Sequence, residues 1–237
     1  MRGRQYLGTA LVAVVAGFVG AALFAFSGLG SSSEGDGMRE YLLANPEVLR
    51  EASVELQRRD MLARIGDMRG ELETPFPGAV LGNPQGSVTL VEFSDYACGF
   101  CRQSLDDVEQ LIAANPDLKV VVREYPVLTP ESTDAARMAL AAAQQGRYSA
   151  FHDAMFAMGP PGPDTIDAAA REAGVDLGKA RAAIDSGVFD AQLQTNAVLA
   201  QQMGVSGTPS WVVGEQALSG AVGVDTLGAA IEAARDS

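Results

Sequence analysis

Two side chains stand out as chemistry: Cys98 and Cys101, the chain's 2 cysteines, in the order Cys98-Gly99-Phe100-Cys101. Two thiols two residues apart can close a disulfide, exchange it with a third thiol, or share a soft metal ion. The setting decides among these. Ahead of them runs the apolar, β-type segment Val88-Thr-Leu-Val-Glu-Phe93. Behind them, Gln103 to Ile112 places Leu105, Val108, Leu111 and Ile112 on one helical face. The spacing therefore predicts thiols at the point where a strand turns into a helix. A helix N-terminus offers unpaired N–H groups and the positive end of a dipole. Both stabilise a thiolate and make it a better leaving group in disulfide exchange.

Three other readings compete. A structural crosslink over so short a loop restricts the unfolded chain by about 2 kcal/mol. That is a weak staple for a chain of 237 residues, which can build its own core. A zinc site usually takes four ligands, and besides the thiols there is only His152, far away in sequence. A dimer sharing four cysteines would be required. Inert buried thiols would explain neither the spacing nor the placement.

Composition narrows the function further. A net charge of −13 argues against nucleic acid and against an anionic lipid patch as partners. One histidine, with no evident Ser-His pairing, gives hydrolase chemistry little support. No Walker-type or dinucleotide fingerprint occurs among the 26 glycines.

The elements that must position the thiols can be read in order. Residues 1–30 read as a signal-anchor segment. Leu7 to Phe26 is apolar and long enough to span a bilayer, with Arg2 and Arg4 before it and acidic residues after it. A cleaved signal peptide is the rival, but no clean Ala-x-Ala site ends the run. Either reading exports the rest of the chain to a compartment where disulfides persist. Residues 31–73 read as linker and helical stalk: a flexible tether from Gly28 to Gly37, a helix over about 38–43, and a second over about 46–69 begun by Asn45-Pro46. Leu42, Leu49 and Leu56 fall seven apart; Met61, Ile65, Met68 and Leu72 continue at four, three, four. Residues 38–72 are thus either a self-association helix building a homo-oligomer or an amphipathic helix lying on its own domain.

Residues 74–237 read as one α/β domain. A short strand over 79–81 and a turn precede the main strand, and Leu118 to Tyr125 is a second buried strand. Two strands joined by one helix make a parallel β-α-β pair. Residues 130–204 read as a helical insertion, with helices opening near Pro130, Tyr148, Pro163, Asp176 and Val188. Met138, Met155, Met158, Met203 and His152 are read as packed side chains rather than ligands. Then come Thr208-Pro209, strands over 210–213 and 217–219, and a closing helix over 225–234.

This order resembles the DsbA-like form of the thioredoxin fold. The marks are Phe93-Ser-Asp-Tyr-Ala-Cys-Gly-Phe-Cys101 and Gly204-Val-Ser-Gly-Thr-Pro-Ser210, with a helical block between them. The Asn-Pro-containing helix before the domain is similar to the exported, membrane-attached branch near the ScsC proteins. The resemblance implies a thiol–disulfide oxidoreductase, with Cys98 the exposed nucleophile and Cys101 the resolving thiol. It implies no cofactor beyond the redox-active Cys98–Cys101 disulfide, and no metal. Pro209 would be cis beside the disulfide, with Thr208 presenting backbone to an extended client and Gly99 and Phe100 bordering it. Glu92 would be the buried acid that assists proton movement. Implied partners are exported proteins with free or mispaired thiols and a membrane protein that recycles the disulfide. The implied location is the bacterial cell envelope, on the extracytoplasmic side. Strong oxidases of the family carry Pro-His between the cysteines; Gly99-Phe100 stands here instead, so a less oxidising disulfide is expected. Oxidase, isomerase and reductase all remain open.

Overall fold

A computed structural model describes residues 33–235. The expected membrane segment, residues 1–30, lies outside them; among the described residues no helix is long and apolar enough to cross a membrane. The chain divides into two compact units between Gln57 and Arg58.

The first unit contains α1 (Ser33–Ala44) and the beginning of α2 (Glu47–Glu73). The flexible tether expected as far as Gly37 is therefore helical from Ser33. Glycine costs about 1 kcal/mol in a helix interior, but Gly35 and Gly37 fall in the first turns, where backbone pairing is incomplete anyway. Met38, Tyr41, Leu43, Leu49, Val54 and Leu56 are exposed.

The second unit is a five-stranded sheet in the order β1-β3-β2-β4-β5. Its strands are β1 (Val80–Gly82), β2 (Val88–Ser94), β3 (Leu118–Glu124), β4 (Ser210–Val213) and β5 (Gln216–Ser219). β2 and β3 are parallel in register Val88↔Leu118 to Ser94↔Glu124, as the β-α-β reading requires. β4 runs antiparallel along the other side of β2. Every residue of β2 is buried, because β2 is paired on both edges and covered on both faces. At the end of β1, Gly82 sits at φ 69°; a Cβ there would meet the Leu118 carbonyl at 2.7 Å.

Strand alternation divides the core in two. One face carries Val88, Leu90, Leu118, Val120, Val122, Trp211 and Val213. α4 (Leu105–Ala114), the helical layer α5 (Pro130–Gln144), α6 (Tyr148–Met158), α7 (Pro163–Glu172) and α8 (Leu177–Asp185), and the closing α10 (Val224–Arg235) pack against it. The other face carries Val91, Phe93, Val121 and Val212 under α9 (Asp190–Met203) and the last turns of α2. Ile65 and Leu72 are buried there, with Met61 and Met68 beside them. The later half of the 38–72 pattern is thus the amphipathic helix lying on its own domain.

Local signals explain the helix starts. Thr129 and Ser132 form a capping box ahead of Pro130, and Asp176 caps Lys179 N–H. Met138, Met155, Met203 and His152 are core, as read. Met158 is not: it ends α6, next to Gly159, and is 36% exposed.

Candidate active site

The two cysteines are placed by a strand-to-helix turn. After β2, Asp95 turns the chain and Cys98 takes extended geometry (φ −81°, ψ 117°) as the N-cap of α3 (Gly99–Gln103). Its sulfur does the capping, accepting from the Cys101 N–H at 3.4 Å. A sulfur in that place sits against the unpaired amides of the helix end. α3 breaks at Ser104, whose hydroxyl bonds back to the Phe100 carbonyl, so the single helix expected after the thiols is two. Such back-bonding is a local alternative to the helical ladder.

Cys98 and Cys101 lie 3.3 Å apart as free thiols. Cys98 Sγ also reaches across the site and donates to the Thr208 carbonyl at 3.2 Å. The Thr208–Pro209 bond is cis. So the residues at 98 and 208, distant in sequence, are brought together because β4 lies beside β2. Gly99 and Phe100 are on the surface, Phe100 at 64% exposure; a Cβ on Gly99 would meet open space.

Cys101 is almost fully covered, at 1% exposure. Burial first, and then the nearby Glu92 carboxyl, push its thiol well above the ordinary range. Glu92 is itself buried on the central strand, opposite Val122 on one side and Trp211 on the other. An edge or solvent-facing position is thereby excluded. Burial raises its carboxyl to about 7. Glu92 can therefore carry or release a proton near neutrality, next to a thiol that needs one.

Four further residues shape the site and were not singled out from the sequence. Asp95 Oδ1 accepts from the Ala97 N–H, and Oδ2 from the Val127 and Leu128 N–H groups at 2.8 and 3.0 Å. One carboxylate thus ties the cysteine loop to the segment after β3. Glu124 is buried at the end of β3 and accepts from Tyr148 Oη at 2.7 Å and Tyr96 Oη at 3.1 Å. Burial raises it to about 8. Tyr96 Oη also meets His152 Nδ1 at 3.2 Å, and burial lowers His152 to about 4, so the imidazole is neutral. The fourth is Ser94, the last residue of β2, whose buried Oγ has no hydrogen-bond partner. The Arg-Glu pair closing an apolar strand was a readable signal, of the same kind as Glu92. Ser94, Asp95 and Tyr96 stand in the sequence only as part of the stretch from Phe93 to Cys101 that carries the family resemblance.

Among the described residues, no group of three or more His, Cys, Asp or Glu is placed to hold a metal ion. Cys98, expected as the exposed thiol, is itself buried at 6% exposure, because it caps α3 and lies against the Thr208 carbonyl. What the arrangement can do is exchange a disulfide: one sulfur capping a helix end, a second and more deeply buried sulfur beside it, and an acid that titrates near neutrality.

The family profile of the DSBA-like thioredoxin domain matches residues 89–232, and that of the copper resistance protein ScsC N-terminal domain matches residues 35–61. A thioredoxin-like oxidoreductase from Silicibacter pomeroyi DSS-3 is 41% identical, with a TM-score of 0.64 over 67% of this chain and 92% of that one. A periplasmic thioredoxin-like protein from Salmonella enterica serovar Typhimurium is 27% identical, with a TM-score of 0.62 over 72% of this chain and 97% of that one. Among curated proteins, the Na(+)/H(+) antiporter NhaA 1 of Salinispora arenicola is 28% identical over 158 residues, 65% of this chain and 24% of the antiporter. The match therefore spans about a quarter of the length of this antiporter and of two further NhaA relatives.

Proposed function

This chain belongs to the DSBA-like thioredoxin domain family, and from that premise we propose that it is a thiol–disulfide oxidoreductase that forms disulfides in exported proteins. A client thiolate attacks Cys98 Sγ and the Cys98–Cys101 bond opens. A second client thiol resolves the mixed disulfide, leaving both cysteines reduced; a membrane redox partner then reoxidises them. The observation that carries this reading is Cys98 Sγ against the Thr208 carbonyl. That contact marks a strip of backbone beside the reactive sulfur, where an extended client segment can add by strand pairing. Thr208, Pro209, Gly99 and Phe100 are the client-binding residues in this reading, and Glu92 the proton-handling acid. Clients are exported proteins, and the catalytic domain works on the extracytoplasmic side of a bacterial envelope, like the periplasmic Salmonella relative. The test is to trap thiols in growing cells. Cys98 and Cys101 should be mostly oxidised, and Cys101→Ser should accumulate mixed disulfides with clients. Mostly reduced cysteines, or no adducts on a diagonal gel, would exclude the oxidase.

Isomerase or reductase action is the second reading. One observation favours it: the exposed apolar residues of the first unit, within the segment matched by the ScsC N-terminal domain. Subunit association there would place several exchange sites in one assembly. Cysteines held reduced in cells would select this reading. Cell fractionation of the full chain distinguishes an uncleaved anchor from a cleaved signal.

A further inference from the structure

Asp95 is 1% exposed, and its carboxylate meets three backbone N–H donors. Oδ1 takes the Ala97 N–H at 2.8 Å; Oδ2 takes those of Val127 and Leu128 at 2.8 and 3.0 Å. Its backbone carbonyl takes a fourth, the Cys98 N–H at 2.9 Å. The two sides of this clamp differ in stiffness. The segment after β3 is fixed at both ends: the Tyr125 N–H bonds to the Ser94 carbonyl at 2.8 Å, and the Thr129–Ser132 capping box opens α5. Pro126 between them has a locked φ. The cysteine loop has less support of its own, because it ends at Cys98 as the N-cap of α3, a helix of 5 residues. Ionisation is what lets one side chain join the two. A carboxylate accepts on both oxygens, whereas an amide has one oxygen and would turn its NH2 toward an N–H on the other side. Charge-assisted bonds of this kind also compensate for burying the charge.

We propose that Asp95 is a positioning residue for disulfide closure: it holds Cys98 Sγ on the line along which Cys101 must attack. This role rests on the exchange reading above. When reduced protein meets glutathione disulfide, Cys98 thiolate attacks one of its sulfurs. The Cys98–glutathione bond forms, and one glutathione leaves as a thiolate. Cys101 then gives its proton to a buffer base and attacks Cys98 Sγ. The Cys98–Cys101 bond forms, and the outer S–S bond breaks with its electron pair on the second glutathione. Attacking, central and leaving sulfurs must fall nearly in a row. A free disulfide chooses its own orientation at the first step. Cys101 cannot: it is fixed in α3 at 1% exposure, 3.3 Å from Cys98, so the central sulfur has to be presented to it. Displacement by about 1 Å in such a geometry can cost on the order of a hundredfold in rate. The other holds on Cys98 act on the sulfur itself. Its bond to the Thr208 carbonyl needs the thiol proton, which a mixed disulfide no longer has. Asp95 holds backbone, so its grip persists through every step.

The test uses full-length reduced protein and glutathione disulfide, with rapid acid quench and mass spectrometry. Two rates are separated: formation of the Cys98–glutathione adduct, and its closure by Cys101. Asp95→Asn keeps the shape but must give up one side of the clamp. It should leave adduct formation within about twofold and slow closure on the order of tenfold or more. Arg123→Gln is the control for stability alone. It loosens the opposite face of the sheet, where Arg123 holds the Leu72 carbonyl, and should close at the wild-type rate. Closure at the wild-type rate in Asp95→Asn, or equally slow closure in Arg123→Gln, would overturn the positioning role. A second measurement needs no variant. Val127 and Leu128 are 51% and 52% exposed, and each N–H has Asp95 as its acceptor. In reduced wild-type protein, both amides should be protected from hydrogen exchange by ~100-fold or more. Free exchange at either would overturn the clamp, even where Asp95→Asn does not fold. If the wild-type protein forms no adduct at Cys98 while these amides stay protected, it is the exchange reading that fails, and the role falls with it.

Discussion

Glu92 and Glu124 are buried on one face of the sheet, at about 7 and about 8 respectively. Each keeps its proton when folded and loses it more readily when unfolded. The folded state is then the better proton binder, so stability falls as pH rises. The two contributions are complete below the ordinary carboxyl value of 4.5 and are lost as pH climbs through the folded values. His152 has the opposite sign. Burial holds it neutral down to about 4, so it costs stability as pH falls below its ordinary 6.5. From pH 8 down to pH 6.5 the carboxyls act without that opposition. Glu124 there contributes up to about 1.4 kcal/mol per pH unit. We expect the urea midpoint to rise from pH 8 to pH 6.5, and Glu124→Gln, which keeps an oxygen for Tyr96 and Tyr148, to remove most of the slope. An unchanged slope in that variant would mean that Glu124 is not the proton-binding group. Between the cysteines, Phe100→His supplies the missing imidazole. It should make the disulfide more oxidising by about 30 mV or more, a tenfold change in its glutathione equilibrium; equal potentials would show that the residues between the thiols do not set the poise. At this scale the sequence reveals residues that break a pattern. Cys98 and Cys101 do so by spacing, Glu92 by its charge in an apolar strand, and Pro209 at the head of another. Ser94, Asp95 and Tyr96 break none, and their significance comes from partners distant in the chain.

The element that joins the stalk helix to the sheet is one guanidinium. Arg123 points from β3 to the face opposite Glu124 and is 2% exposed. Its Nη2 donates to the carbonyls of Leu72 and Thr74 at 2.9 and 2.6 Å and also to that of Glu71; its Nη1 meets Asn196 Oδ1 at 3.2 Å. Asn196 Nδ2 in turn donates to the Glu124 backbone carbonyl at 3.0 Å. A cation thus satisfies the orphan carbonyls at the negative end of α2. Burial pulls its own value down to about 10, which leaves it charged at neutral pH. Arg123→Gln should destabilise the protein by about 2–3 kcal/mol, the worth of charge-assisted hydrogen bonds left unmade. Hydrogen exchange should then speed up in residues 65–74 before it does in β2 and β3. Uniform acceleration across the domain would contradict the anchoring role. Element order, the parallel β2–β3 pair and the helical layer were all legible, because hydrophobic period and turn residues are local. The end of α2 was not, and neither was the break at Ser104. Both are decided by tertiary partners: Arg123 and the lower sheet face for the first, the Phe100 carbonyl for the second.

For the whole molecule, the two halves of residues 38–72 have different fates. From Met61 onward the apolar positions are used up on Val91, Phe93, Val121, Leu199 and Met203. Before Gln57 they are not: Leu49, Val54 and Leu56 stand 53–60% exposed. The change falls where the seven-residue spacing breaks, between Leu56 and Met61, and where the compact units divide. A helical pattern that keeps its period but finds no partner in its own chain is the signature of association. The proposed self-association surface is therefore residues 38–56 rather than the whole of 38–72. All the site residues lie in the second unit. Under the proposed function, association should accordingly change what the chain does with a client without changing the exchange step itself. In light scattering, the full chain should run as an oligomer and Leu49→Asp with Leu56→Asp as a monomer. Oxidation of a dithiol peptide should proceed at the same rate in both. Rearrangement of a scrambled, multiply crosslinked client should fall in the monomer if several sites must act on one client, and stay unchanged if each site works alone. A wild-type chain that is already monomeric at micromolar concentration would remove the surface from the account and leave the oxidase reading as it stands.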